Sequence, residues 1–129
     1  MTLEITPIYA ALLTLLYLWL SYRVVQMRGS AKVSLGDGGD RILERRIRAH
    51  GNCAENAPIG LILMLMMELS GAPAVAIHGA GLLLLVGRLA HAAALSSPTP
   101  QFLLRTVGMG LTYLMQGLVA VGLLAHALI

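Results

Sequence analysis

Glu44 to Glu55 reads ERRIRAHGNCAE and runs without a break into an apolar span, Ala57 to Leu69. That span alone is too short to cross a bilayer, which takes about 20 residues of helix. To cross, the helix must draw its own polar start into the membrane. At about 100° per residue, Arg45, Arg48, Asn52 and Glu55 fall on one narrow face. Polar and ionisable groups at that depth are costly and usually serve a function, so the stripe is a candidate binding site.

The rest of the chain agrees with a membrane setting. Of its 129 residues, 57% are hydrophobic and 12% charged, with a mean hydropathy of +0.79, which excludes an ordinary soluble domain. Four apolar segments are expected to be transmembrane helices: Ile5–Tyr22, roughly Gly51–Ser70, Ala72–Leu95 and Phe102–Ile129. None shows the sustained alternation of a barrel strand. The first segment lacks a basic stretch before it and a small-residue cleavage site after it, so it reads as a retained helix rather than a signal peptide. The chain reads as one domain, residues 1–129, of the all-α membrane class: a four-transmembrane-helix bundle.

Charge placement orients that bundle. Seven of the nine Lys and Arg residues lie from Arg23 to Arg48, and the other two, Arg88 and Arg105, flank the connection between helices 3 and 4. With four spans, those two connections share one side, and the positive-inside rule makes that side cytoplasmic. Both termini are then expected on the non-cytoplasmic side. The basic cluster joins two membrane spans and has no aromatic residue for base stacking, which argues against a nucleic-acid partner.

Local signals fill in the connections. Asp40 is expected to cap helix 2, which from Arg41 would run about 30 residues, or about 45 Å at 1.5 Å per residue. The glycines of Gly36–Asp40 suit a turn. Pro58 lacks an N–H and is expected to kink helix 2 near the polar stripe. Gly79, Gly81, Gly87, Gly108, Gly110, Gly117 and Gly122 read as sites of close helix packing. The single cysteine, Cys53, reads as a small packing residue. His50 and Cys53 lie one turn apart, but two candidates without further ligands make a weak metal site, and none is assigned. His78 and His126 fall towards the outer side and receive no role.

Three polar groups are expected to meet at the cytoplasmic leaflet. Helix 2 offers Arg45, Arg48, Asn52 and Glu55; helix 3 offers Arg88 and His91, three residues apart and so on one face; helix 4 offers Arg105, with Thr112 and Gln116 roughly below it. Four helices can hardly enclose so much polarity alone, so the stripes are expected to face a neighbouring subunit and a shared polar cavity. Several guanidiniums suit carboxylates held bidentately, and Glu55 suits an ammonium or an internal arginine. Glutathione carries two carboxylates, one amine and a thiol, and an arginine beside that thiol favours the nucleophilic thiolate. The alternative is that Arg and Glu simply pair to hold the helices together; the surplus of arginines over inward acids favours an anionic ligand.

The residues Glu44-Arg45-x-x-Arg48-Ala49-x-x-Asn52-x-x-Glu55, with Gly87-Arg88-x-x-His91 and Arg105-Thr106, resemble the MAPEG family, the membrane-associated proteins of eicosanoid and glutathione metabolism, and look closest to a small bacterial branch of it. The resemblance covers nearly the whole chain. It implies a homotrimer in the bacterial inner membrane, with glutathione bound between subunits on the cytoplasmic side. Arg28, Arg45, Arg48, Asn52, Glu55, Arg88 and His91 would then grip glutathione, Arg105 would stabilise its thiolate, and Thr106 would hydrogen-bond the sulfur. Leu95 and Met109 stand where many or some members carry tyrosines, and Gly51 where one branch has a basic residue.

The leading expectation is therefore a glutathione-dependent membrane transferase or peroxidase acting on lipophilic electrophiles or hydroperoxides that enter from the bilayer. The alternative is a non-catalytic membrane protein binding a lipid or small anion in the same cavity. A channel or transporter has less support, because the polar residues gather at one leaflet.

Overall fold

The structure, a computed structural model, describes residues 2–129. It is all helical: α1 is Thr6–Ala31, α2 Arg41–Leu69, α3 Ala74–Ser96 and α4 Phe102–Leu128. The apolar segments thus correspond one to one with helices. α1 continues to Ala31, past the expected end at Tyr22, because falling hydropathy marks the end of the membrane and not of the helix. Gln26, Met27 and Arg28 are good helix formers in water as well as lipid. α1, α3 and α4 are each long and apolar enough to cross a membrane. α2 spans 29 residues, runs uninterrupted through Pro58, and carries the charged start that keeps it outside that class.

The ends are held by specific groups. Asp40 caps α2 as expected, its carboxylate accepting the Leu43 N–H at 2.9 Å. α1 ends at Lys32, which takes the left-handed conformation (φ 57°), and Gly36, Gly38 and Gly39 follow at positive φ in the turn to α2. At the opposite end, α1 starts without a side-chain cap of its own. Glu68, in the last turn of α2, supplies one: its carboxylate accepts the backbone N–H groups of Glu4, Ile5 and Thr6 at 2.6, 2.8 and 2.7 Å. An anion at a helix N-terminus satisfies orphan donors and opposes the helix dipole.

α2 and α3 form the middle of the bundle and touch every other helix, whereas the α1 and α4 backbones come no closer than 8 Å between Cα atoms among the described residues. Two apolar clusters hold it together. The one nearer the termini joins Tyr9, Leu13, Met64, Ile77, Leu84, Met115 and Val119 from all four helices. The one nearer the basic connections joins Leu20, Ala49, Cys53, Ala57, Ala92 and Leu95, from α1, α2 and α3 only. Cys53 is thus a packing residue. The first half of α4 lacks a place in either cluster and attaches in another way.

That attachment uses glycine. A Cβ on Gly108 would lie 2.6 Å from the His91 nitrogen and 2.8 Å from the Gly87 carbonyl oxygen; one on Gly87 would lie 2.8 Å from the Thr112 hydroxyl. α3 and α4 therefore touch backbone to backbone, as small residues permit between membrane helices. Gly81 makes similar room for the Tyr9 ring. A Cβ on Gly79, Gly110, Gly117 or Gly122 would meet open space, so these four make no close helix contact within one protomer.

Candidate functional site

Close approach of α3 and α4 sets up the site's centre. Arg88 lies on α3 just past Gly87 and is 1% exposed. Its three nitrogens reach two neighbouring helices. Nε donates to Thr112 Oγ1 at 3.0 Å, Nη1 to Asn52 Oδ1 and, at 3.3 Å, to the Asn52 carbonyl, and Nη2 to Met109 Sδ at 3.0 Å. Thr112 sends its own proton to the Gly108 carbonyl at 2.9 Å, leaving its lone pairs for Arg88. The polar ladder continues towards the termini: Asn56 Nδ2 donates to the Asn52 carbonyl at 3.0 Å and Gln116 Nε2 to the Asn56 carbonyl at 3.2 Å.

Among the described residues no acid takes part in this network, and the only ion pair is Arg48 with Glu55, at 3.5 Å. Desolvating an unpaired guanidinium costs several kcal/mol, offset here by charge-assisted bonds to neutral acceptors. Its positive field is left uncancelled. His91, one turn further along α3, is 2% exposed and its ring makes no hydrogen bond among the described residues.

Arg48 and Glu55 lie on the outside of this centre, with side chains 51% and 59% exposed. They are two helical turns apart, and Arg48 reaches Glu55 by lying along α2 over Gly51. A Cβ there would sit 3.2 Å from Arg48 Nη1. An exposed ion pair of this kind is worth at most about 1 kcal/mol. It can exchange its internal partner for a ligand's carboxylate and ammonium at little cost. Arg105 and Thr106 are exposed on the first turns of α4.

Two of the expected residues lie elsewhere. Arg45 turns from the α2 stripe to the far end of α3, where Nη2 donates to the Ala94 carbonyl at 2.9 Å. Arg28 donates to the carbonyls of Gly36 at 2.6 Å and Val33 at 3.4 Å, binding the turn after its own helix. The face of α2 is therefore divided: Asn52 looks inward to Arg88, Arg48 and Glu55 look outward, and Arg45 belongs to another surface. Asn56 and the acceptor role of Met109 lie outside the sequence expectation. An amide one turn beyond Asn52 is a visible signal for the first; nothing in the sequence marks the second.

The positions of the missing tyrosines are filled by other chemistry. Leu95 packs into the apolar cluster near the basic connections. Met109 gives its sulfur to Arg88. A cavity of about 550 Å³ lies at the opposite end of the bundle, is lined mainly by apolar residues such as Met67, Ala76, Leu83 and Leu118, and contains no arginine.

Comparison with known proteins agrees with this arrangement. The sequence pattern described as the MAPEG family matches residues 6–125. The chain is 44% identical over 87 residues to "Inner membrane protein YecN" of Escherichia coli K12 and of Escherichia coli O6:H1. Each match covers 67% of this chain and 66% of the relative, so the chain spans just under two thirds of those proteins' length. No solved structure matches it. Four helices, a second helix that opens on the polar stripe, and a family pattern that runs from Thr6 to Ala125 lead to one conclusion: the chain belongs to the MAPEG family.

Proposed function

We propose that the protein is a glutathione-dependent transferase or peroxidase of the bacterial inner membrane, working as a homotrimer with its site between protomers at the cytoplasmic leaflet. The observation that carries this reading is the buried Arg88, bonded to Asn52 and Thr112 with no acid to neutralise it. An anionic ligand supplies the missing charge. Arg48 takes a glutathione carboxylate and Glu55 its ammonium, each leaving the other. Arg88 holds Asn52 in position from beneath. Arg105 stabilises the thiolate, and the Thr106 hydroxyl donates to the sulfur. The thiolate then forms a bond to the electrophilic carbon of a lipophilic substrate, and the leaving group departs with the bonding electron pair.

The exposed position of Arg48, Glu55, Arg105 and Thr106 supports a site completed by a second copy of the chain. Arg105→Ala tests the assignment. The variant is expected to remain assembled and to bind glutathione, but to lose the ultraviolet absorbance of the bound thiolate and conjugation of chlorodinitrobenzene. Conjugation at the parent rate removes Arg105 from the mechanism.

A second reading is a non-catalytic binder using the same cavity. Leu95 and Met109 favour it, since neither provides a hydroxyl where many or some members of the family carry tyrosine. Equilibrium dialysis with labelled glutathione separates the two: binding without thiolate absorbance identifies a binder.

A further inference from the structure

Arg45 opens a different surface. With Arg23, Arg41 and Arg46 it lines a cavity of about 520 Å³ at the basic end of the bundle, closed by Ile42, Leu95 and the 3–4 turn from Ser96 to Pro100. Four arginines line this space, and no acid lines it. Among the described residues none of the four forms an ion pair. Arg46 Nη1 donates to the Arg23 carbonyl at 3.0 Å, and Arg45 Nη2 to that of Ala94, so two donors are in use while each guanidinium has five. The Nε atoms of Arg45 and Arg46 and the Oγ of Ser96 are buried without a hydrogen-bond partner.

The end of α3 explains one of these cations but not four. A helix C-terminus carries about half a negative charge, which Arg45 alone more than answers. The surplus fits an anion with several oxygens, and planar guanidiniums match phosphate bidentately. Depth in the membrane selects the kind of phosphate. Arg23 lies over the ring of Trp19, 4.9 Å from its centroid, and Trp19 is half exposed on the outside of α1. Tryptophan in that setting marks the headgroup level of a bilayer. Ile42, Leu95, Pro98 and Pro100 add apolar wall beside the charges.

We propose that this cavity binds the phosphate headgroup of an anionic phospholipid from the inner leaflet, with Arg23, Arg41, Arg45 and Arg46 as its ligands. Basic pockets between membrane helices on the cytoplasmic side are suited to such headgroups. The site is separate from the one around His91 and does not depend on glutathione.

Native mass spectrometry of the full chain in zwitterionic detergent tests it, with phosphatidylglycerol, phosphatidylcholine of the same acyl chains, and glycerol phosphate as probes. The protein is expected to retain phosphatidylglycerol in preference to the other two. Arg41→Gln is expected to weaken that retention by about fivefold, the contribution of one cation near a charged headgroup. Arg41 is exposed and its side chain makes no hydrogen bond among the described residues, so the change leaves packing intact. Lys32→Gln, a cation outside the cavity, is expected to change nothing, and glutathione binding is expected to survive Arg41→Gln. Equal retention of phosphatidylcholine overturns the proposal. So does equal binding of glycerol phosphate, or an equal loss in Lys32→Gln, which would reduce the effect to general surface charge.

Discussion

Arg88 and Arg105 carry the same charge and hold opposite positions. Arg88 is enclosed and bonded to two helices, so shortening it leaves acceptors bare and a cavity behind. Arg88→Lys keeps the charge but cannot reach Thr112, Asn52 and Met109 together. It is expected to destabilise the protein by about 1–3 kcal/mol, measured as thermal unfolding in detergent. Arg105→Ala touches no packed side chain and is expected to stay within about 0.5 kcal/mol of the parent, the usual range for surface changes. Equal melting of the two variants would remove Arg88's role as the bond between helices. Gly51 acts at the same scale: Arg48 passes over it to Glu55, so close that a Cβ there would stand 3.2 Å from Arg48 Nη1.

The decisive feature among the helices is the α3–α4 contact. Gly108→Ala would push a methyl into the His91 and Gly87 backbones, which cannot swing aside as a side chain can. The expected cost is about 1–3 kcal/mol, as for overpacked cores, with loss of the Arg88 bonds across the gap. Gly117→Ala, on the same helix but facing open space, is expected to be neutral or slightly stabilising by the gain in helix propensity. Thermal unfolding of the pair checks the contrast. At the other end of the bundle, Glu68→Gln removes the charge that collects three backbone donors. Amide exchange at Glu4, Ile5 and Thr6 is expected to quicken while the last turns of α1 are unchanged; uniform exchange across α1 would contradict a local clamp.

For the whole molecule, the arrangement of α1 and α4 on opposite flanks leaves the first turns of α4 uncovered, with Arg105 and Thr106 on them. A homotrimer would cover that face with a neighbour. Sedimentation in mild detergent is expected to give three copies per particle, and a monomer that still binds glutathione would show the site to be complete in one chain. The charge asymmetry makes a further demand. An alkaline phosphatase fused after Ile129 is expected to be active, because that enzyme works only outside the cytoplasm; an inactive fusion of normal abundance would invert the topology.

Helix number, helix order and the Asp40 cap were readable because each depends on residues near one another along the chain. Hydropathy over a span, a carboxylate before a first turn and the location of arginines between spans are all local quantities. The α2 stripe shows where locality stops. Arg45 and Arg48 are one turn apart and share a helix face, yet one binds the end of α3 and the other lies open beside Glu55. Helical periodicity says which side chains point the same way and carries no information about what stands opposite. Packing of α1 and α3 against α2 supplied that direction, sending one arginine of the stripe into a cavity and leaving the other on an open face. The same is true of the glycines: composition marked them as small, and only the approach of neighbouring backbones separated Gly87 and Gly108, which must be small, from Gly110 and Gly117, which meet nothing.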